Sequence, residues 1–329
     1  MAILQYANSI TEFFEGDDTG GAIDHDNGKA PYTRKSTLMY RSTPLAYINW
    51  ESTPEVWITF YMRGYLDDNY GSIVVVYGDD DSVFFRMEKV NNSVTNIDFE
   101  YNDGNSYTDF KSSWGHTNWY TTVRWDMRFK VDAVDGGVSI YKNGFLDAEY
   151  LPGDTTNGGA RTGLNSFRIG SFAGAEGWYT ISALIVADEP TLNMQYLQTW
   201  PAADGTYTEW GNGDFTAIDE TGIDDTDSLK SEDTDTRYTY TLPTLTNNFD
   251  IGHKVVAVCQ TVRADKKNVD GKNFRHMVRS GTTDDFSQKE ELSLIKKPYK
   301  QIFTVNPATG SPWTISEAKA AELGFQIRI

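Results

Sequence analysis

Segments rich in β-branched and aromatic residues recur about every ten residues through the first half of this chain, while a 3.6-residue apolar repeat is almost absent. Residues 57–62 (Trp-Ile-Thr-Phe-Tyr-Met), 72–77 (Ser-Ile-Val-Val-Val-Tyr), 83–87 (Val-Phe-Phe-Arg-Met), 121–131 and 137–141 (Gly-Val-Ser-Ile-Tyr) all have this character, and clusters of Gly, Asp and Asn bound them. Such a pattern buries itself in antiparallel sheets, so the predicted class is all-β. Residues 77–82 (Tyr-Gly-Asp-Asp-Asp-Ser) and Asp135-Gly136 predict hairpin connections. The pair Asn143-Gly144 predicts a type I′ turn, because both central positions of that turn need positive φ.

At 329 residues, with 14% aromatic residues and 28 glycines, the chain predicts two β-sandwich domains with large anchors in the strands and glycine-set turns. The expected division follows Glu189-Pro190, giving domains over 1–190 and 191–329. The second carries Trp200 and Trp210 and predicted strands over 237–241, 253–263 and 273–279, and is expected to be a smaller sandwich.

The last residues are punctuated. Asn306-Pro307 and Thr309-Gly310 signal a turn, and Thr314 with Glu317 three residues on forms a capping box over a short helix predicted at 315–322. Gly324 is expected to supply a left-handed stop. Phe325, Ile327 and Ile329 alternate with polar residues, which predicts a terminal strand paired with a sheet, and Trp313 is the expected plug.

Charge and motifs remove several functions. A formal net charge of −18 argues against phosphate-backbone binding and against an anionic membrane surface. No run of eighteen apolar residues occurs, and the first residues lack the basic start and apolar core of a secretion leader. The single Cys259 sits in an apolar strand pattern and is expected to be a buried, inert thiol. His25, His116, His253 and His276 show no ligand spacing, and no nucleophile elbow, P-loop or dinucleotide signature is present, so no metal and no cofactor are expected. The acidic runs at 79–81, 224–227 and 233–235 lack the order of a calcium loop and are read as turns.

The segment Asn306-Pro307-x-Thr-Gly-x-x-Trp313-Thr314, the short helix and Gly-Phe-x-Ile resemble the C-terminus of tailed-bacteriophage virion proteins. The likeness extends upstream through 186–191, Trp200 to Gly205, Trp210, Asp219-Glu220, and Asp225 with Asp227. It implies a structural component of the virion, made in the host bacterial cytoplasm, with other virion proteins and further copies of the chain as partners in a symmetric oligomer. A tail location is favoured, with a capsid-decorating head protein or head fibre as the alternative. Trp200, Trp210, Asp225, Asp227, Asn306, Pro307, Trp313, Thr314 and Glu317 carry the structural role under this resemblance. The stretch 321–326 (Ala-Glu-Leu-Gly-Phe-Gln) departs from the more apolar family pattern.

Residues 124–131, 137–146, 167–171 and 178–189 are similar to the closing strands of concanavalin A-like, laminin G-like jelly rolls. That resemblance implies that 181–186 returns beside residues 3–10. Jelly rolls of this kind include retaining glucanases with Glu-x-Asp-x-Glu on one strand. Here Asp98, Glu100, Asp103, Glu51 and Glu55 do not give that order, and no catalytic residue is expected. The aromatic stretch from Trp114 to Tyr120 offers a different use. With Tyr107, Trp114 and His116 as candidates, it predicts stacking of host-surface glycan rings, against the alternative that Trp119 and Tyr120 begin a core strand.

Overall fold

The computed structural model describes residues 2–7, 22–25, 36–40, 46–66, 71–89, 96–114, 122–172, 177–219, 226–244, 254–267 and 272–328. The chain divides into two compact units, Met1–Leu197 and Gln198–Ile329. The division falls beyond the expected 190/191, because residues 191–194 are bonded to the outer face of a sheet of the first unit.

The first unit contains β1 (Ile3–Ala7), β2 (Ala22–His25), β3 (Ser36–Tyr40), β4 (Ala46–Thr53), β5 (Glu55–Leu66), β6 (Gly71–Gly78) and β7 (Val83–Lys89). It continues with β8 (Asn96–Asn102), β9 (Tyr107–Trp114), β10 (Val123–Lys130), β11 (Gly136–Lys142), β12 (Phe145–Gly153), β13 (Leu164–Phe172) and β14 (Gly177–Ala187). An eight-stranded sheet runs β12-β11-β10-β5-β14-β3-β2, with β1 also on β14, and a six-stranded sheet runs β4-β13-β6-β7-β8-β9. All pairings are antiparallel, and the last strand lies beside the first, with Ile3 opposite Ala187 and Tyr6 opposite Ile185. This is a concanavalin A-like jelly roll. The sheets meet through aromatic contacts that cross between them: Phe60 on Phe167 at 5.7 Å, Phe99 on Trp125 at 5.7 Å and Phe84 on Phe129 at 6.1 Å. Offset and edge-on ring geometries of this kind add to simple area burial.

The turn between β11 and β12 has φ of 51° at Asn143 and 85° at Gly144, as type I′ requires. The acidic turn between β6 and β7 is a staple. Asp79 accepts from Thr162 N at 2.9 Å and Ser52 Oγ at 2.9 Å, and Asp80 accepts from Ser82 Oγ at 2.7 Å and Asn157 Nδ2 at 3.0 Å. Burial opposes ionisation of Asp79, but these hydrogen bonds hold its carboxyl down to about 2.

The second unit contains β15 (Ala203–Thr208), β16 (Arg237–Thr241), β17 (Val258–Ala264), β18 (Asn273–Ser280), β19 (Thr283–Phe286), β20 (Glu290–Glu291), β21 (Lys297–Phe303), β22 (Val305–Asn306), β23 (Ser311–Pro312), helix α1 (Ile315–Ala320) and β24 (Glu322–Arg328). One sheet runs β15-β16-β24-β18-β19 with β20 on β18; β17 pairs with β21 and β22 with β23. The terminal strand β24 is therefore interior to its sheet, bonded to β16 on one side and β18 on the other.

Several local expectations change. Gly324 is not a left-handed stop. It lies inside β24, where a Cβ would sit 2.0 Å from the Tyr238 carbonyl oxygen, so glycine serves close approach of two strands. Helix α1 ends at Ala320, two residues early, because Ala321 is already extended with ψ of 144°. Residues 323–327 are all buried, so β24 does not show the two-faced alternation expected of it, and Ile329 lies outside the described residues. Strand β17 begins at Val258 and not at 253, and Cys259 on it is partly exposed, since its strand pairs only with β21 at the margin of the unit.

Candidate functional site

The six-stranded sheet buries one face in the jelly-roll core through Ile48, Phe167, Ile169, Val74, Val76, Phe85, Met87 and Phe99. Strand alternation turns the residues between them outward. Register then aligns these outward residues into one row across all six strands. Tyr47 on β4 pairs with Arg168 on β13, Arg168 with Val75 on β6, and Val75 with Arg86 on β7. Arg86 pairs with Glu100 on β8, and Glu100 with Asp109 on β9. Five strand spacings make the row about 24 Å long.

One end of the row is acidic. Arg86 Nε bonds Glu100, and its Nη2 lies 3.4 Å from Glu88 Oε2. The Arg86 guanidinium stacks 3.7 Å above the Tyr107 ring, and Tyr107 remains 43% exposed. Burial raises the Glu100 carboxyl above its ordinary range despite Arg86, and a hydrogen bond to Glu100 raises Asp109. Each of two adjacent carboxylates disfavours ionisation of the other. The other end is cationic and aromatic. Arg168 lies 4.0 Å over Tyr77 and 6.0 Å over Tyr47, and it has no carboxylate partner among the described residues. Arg168 Nε and the Oγ of Ser166, a residue 5% exposed on the same face of β13, are buried atoms without a hydrogen-bond partner among the described residues.

Of the predicted glycan residues, Tyr107 falls in this row. Trp114 pairs with Asn96 at the opposite end of β9, about 24 Å along the strand from Tyr107, so the two do not form one cluster. His116, Trp119 and Tyr120 lie outside the described residues. Two of the acids weighed against a hydrolase arrangement, Asp103 and Glu100, have different surroundings. Asp103 is taken up by its own turn, accepting from Asn105 N and Ser106 N at 2.8 Å each, and Glu100 lies opposite Asp109 on the neighbouring strand.

In the second unit, residues named for a structural role converge on β24. The Trp210 ring lies 4.6 Å from that of Phe325, and its Nε1 donates to Thr236 O at 3.4 Å. Trp313, 3% exposed, donates from Nε1 to Phe303 O at 2.9 Å. Fully buried Asn306 accepts from Ala308 N at 2.8 Å and starts the turn through Pro307. The capping box is complete: Thr314 N donates to Glu317 Oε2 at 2.8 Å and Glu317 N to Thr314 Oγ1 at 3.2 Å. An open groove beside α1 is lined by Lys254, Val255, Pro312, Trp313, Ile315 and Lys319. Trp200 is half-buried. Asp227 is exposed, and Asp225 with the rest of the loop over 220–225 that the two were expected to hold lies outside the described residues. Also among the described residues, no group of three or more His, Cys, Asp or Glu is placed to hold a metal ion, and no helix is long and apolar enough to cross a membrane.

No protein-family model matches the chain. No curated protein sequence matches it either. Among solved structures the chain is similar to the globular domain of T. cruzi calreticulin, with 9% identity and a TM-score of 0.36 over 56% of this chain and 84% of that one. A cysteine-substituted form of alginate lyase A1-II′ is similar at 11% identity and a TM-score of 0.38, over 57% and 94% of the two chains. The carbohydrate binding module CBM66 from Bacillus subtilis is similar at 9% identity and a TM-score of 0.33, over 56% and 96%. None of these likenesses informs the residues of the row.

Proposed function

We propose that this chain is a structural component of a tailed-bacteriophage particle, carried at the tail, with the jelly roll presented outward and the second unit making subunit contacts in a symmetric oligomer. The observation that supports the reading is the convergence on β24. Residues matching the virion-protein pattern are scattered from Trp210 to Phe325, yet they meet in one core in which Trp210 packs on Phe325 and Trp313 caps the β21 end through Phe303 O. The resemblance therefore describes a folded unit and not a set of separate peptides. The partners in this reading are other virion proteins, and neither nucleic acid nor a membrane is among them. The role in this reading is non-enzymatic. Mass spectrometry of purified particles tests the proposal: the chain is expected at a stoichiometry of several copies per particle, and its absence from particles overturns the reading.

A second reading has its own support. The row of arginines, carboxylates and tyrosines on the jelly roll favours a glycan-binding adhesin on the same particle. A capsid-decorating placement is the alternative location for either role.

A further inference from the structure

We propose that the row across the outer face of the six-stranded sheet binds a neutral, unbranched glycan laid perpendicular to the strands. The proposal deepens the adhesin reading and does not depend on where in a particle the chain resides.

Sugar hydroxyls are donors and acceptors at once, so a site for them needs fixed groups of both kinds with apolar ring faces between. The row supplies all three. At one end Glu88, Glu100 and Asp109 are acceptors, held in place by Arg86. At the other, Arg168 is a donor fork without a carboxylate to occupy it, steadied by the faces of Tyr77 and Tyr47. Val75, 3% exposed, forms the floor between the two arginines. Tyr107 offers an exposed ring at the acidic end.

The independent sign of a ligand is the pair of orphaned atoms. Ser166 Oγ and Arg168 Nε are buried and find no hydrogen-bond partner among the described residues, whereas buried polar groups are almost always satisfied. Both belong to the same face of β13, and hydroxyls of a chain lying over that strand would satisfy them. The length favours a polymer, because a single ring cannot reach from Arg168 to Asp109 across four strand spacings. Charge favours a neutral one. The chain as a whole carries −18, which repels an anionic polysaccharide.

The test uses the full chain on an array of immobilised cellohexaose, maltohexaose, laminarihexaose and mannohexaose, with an alginate hexasaccharide as the anionic comparison. The wild type is expected to be retained by at least one neutral hexasaccharide. Tyr107→Ala and Arg168→Gln are each expected to weaken that retention roughly tenfold, while Phe145→Ser, at a position 79% exposed on the other sheet, leaves it unchanged. Melting temperatures of the variants are read in parallel, and if Arg168→Gln melts early, Tyr107→Ala on its exposed side chain decides. Retention by no neutral glycan, by the alginate alone, or equally by wild type and both variants overturns the proposal. Particle mass spectrometry is read separately, so a failed site and a failed virion assignment give different patterns.

Discussion

Arg124 and Asp126, two residues apart on β10, form a double-bonded ion pair on the outer face of the eight-stranded sheet, with Nε to Oδ2 and Nη2 to Oδ1 at 2.8 Å each. Asp126 is fully buried. The same guanidinium reaches Met194 O and Thr191 O, at 2.7 Å each, and so holds the segment after β14 against the sheet. Asp126→Ala leaves this arginine without its counter-ion, and the expected loss is about 3–5 kcal/mol of jelly-roll stability in urea unfolding. Limited proteolysis is expected to cut within 190–197 faster than in the wild type. Unchanged stability and unchanged cleavage would contradict the clamp.

Gly324→Ala places a methyl against the Tyr238 carbonyl in the middle of the second unit's main sheet. The closest atom is a backbone carbonyl oxygen of β16, with Thr239 Cα and Cγ2 behind it, so β16 itself would have to shift, and the expected cost is about 3 kcal/mol or more, read as a lower melting temperature. A variant as stable as wild type would mean that β16 and β24 lie further apart than described.

Burial gives the second unit an acid-sensitive element. His276 is wholly buried, with Nδ1 2.9 Å from Gln260 Oε1, and Gln260 Nε2 donates to Tyr240 OH at 3.1 Å. That chain makes Nδ1 the protonated nitrogen. Nε2 lies 4.0 Å from Glu290 Oε1, whose carboxyl burial raises. Burial pushes the imidazole from 6.5 down to about 3. As pH falls through 6.5 the unfolded chain takes up a proton that the folded chain refuses, so stability is present above 6.5 and is lost on the way down towards about 3. The melting temperature of the wild type is expected to decline from pH 6.5 to about 5, where His276→Gln stays flat. Equal slopes in the two proteins would rule the histidine out as the cause.

Thr314→Ala removes one half of the capping box and is expected to cost about 1 kcal/mol. Trp313→Ala deletes a buried indole and its bond to Phe303 O, with an expected cost of about 3–5 kcal/mol and reduced incorporation into particles. Normal incorporation with an unchanged melting temperature would remove Trp313 from the assembly account.

Local signals proved readable where one residue type has one use. Asn143-Gly144 marks a turn whose both central positions need positive φ, and Thr314 with Glu317 marks a helix start that forms as a full box. Gly324 was not readable in this way, because glycine serves a left-handed stop and a close strand approach alike, and only the position of Tyr238 decides between them. The outward row was illegible for a different reason. It joins Tyr47, Arg168, Arg86, Glu100 and Asp109 through register alone, and a slip in β9 sets Asp109 opposite Glu100 while Lys111 faces Phe99. Alternation within a strand carries no information about such a slip. His276 likewise resembles any strand histidine until Gln260 and Tyr240 are brought beside it from β17 and β16.

The most direct measurement of the central claim is electron microscopy of purified particles labelled with a gold-conjugated antibody against this chain. The account predicts gold at the tail. Gold spread over the head would replace the tail placement with capsid decoration, and particles without label would contradict the virion assignment itself.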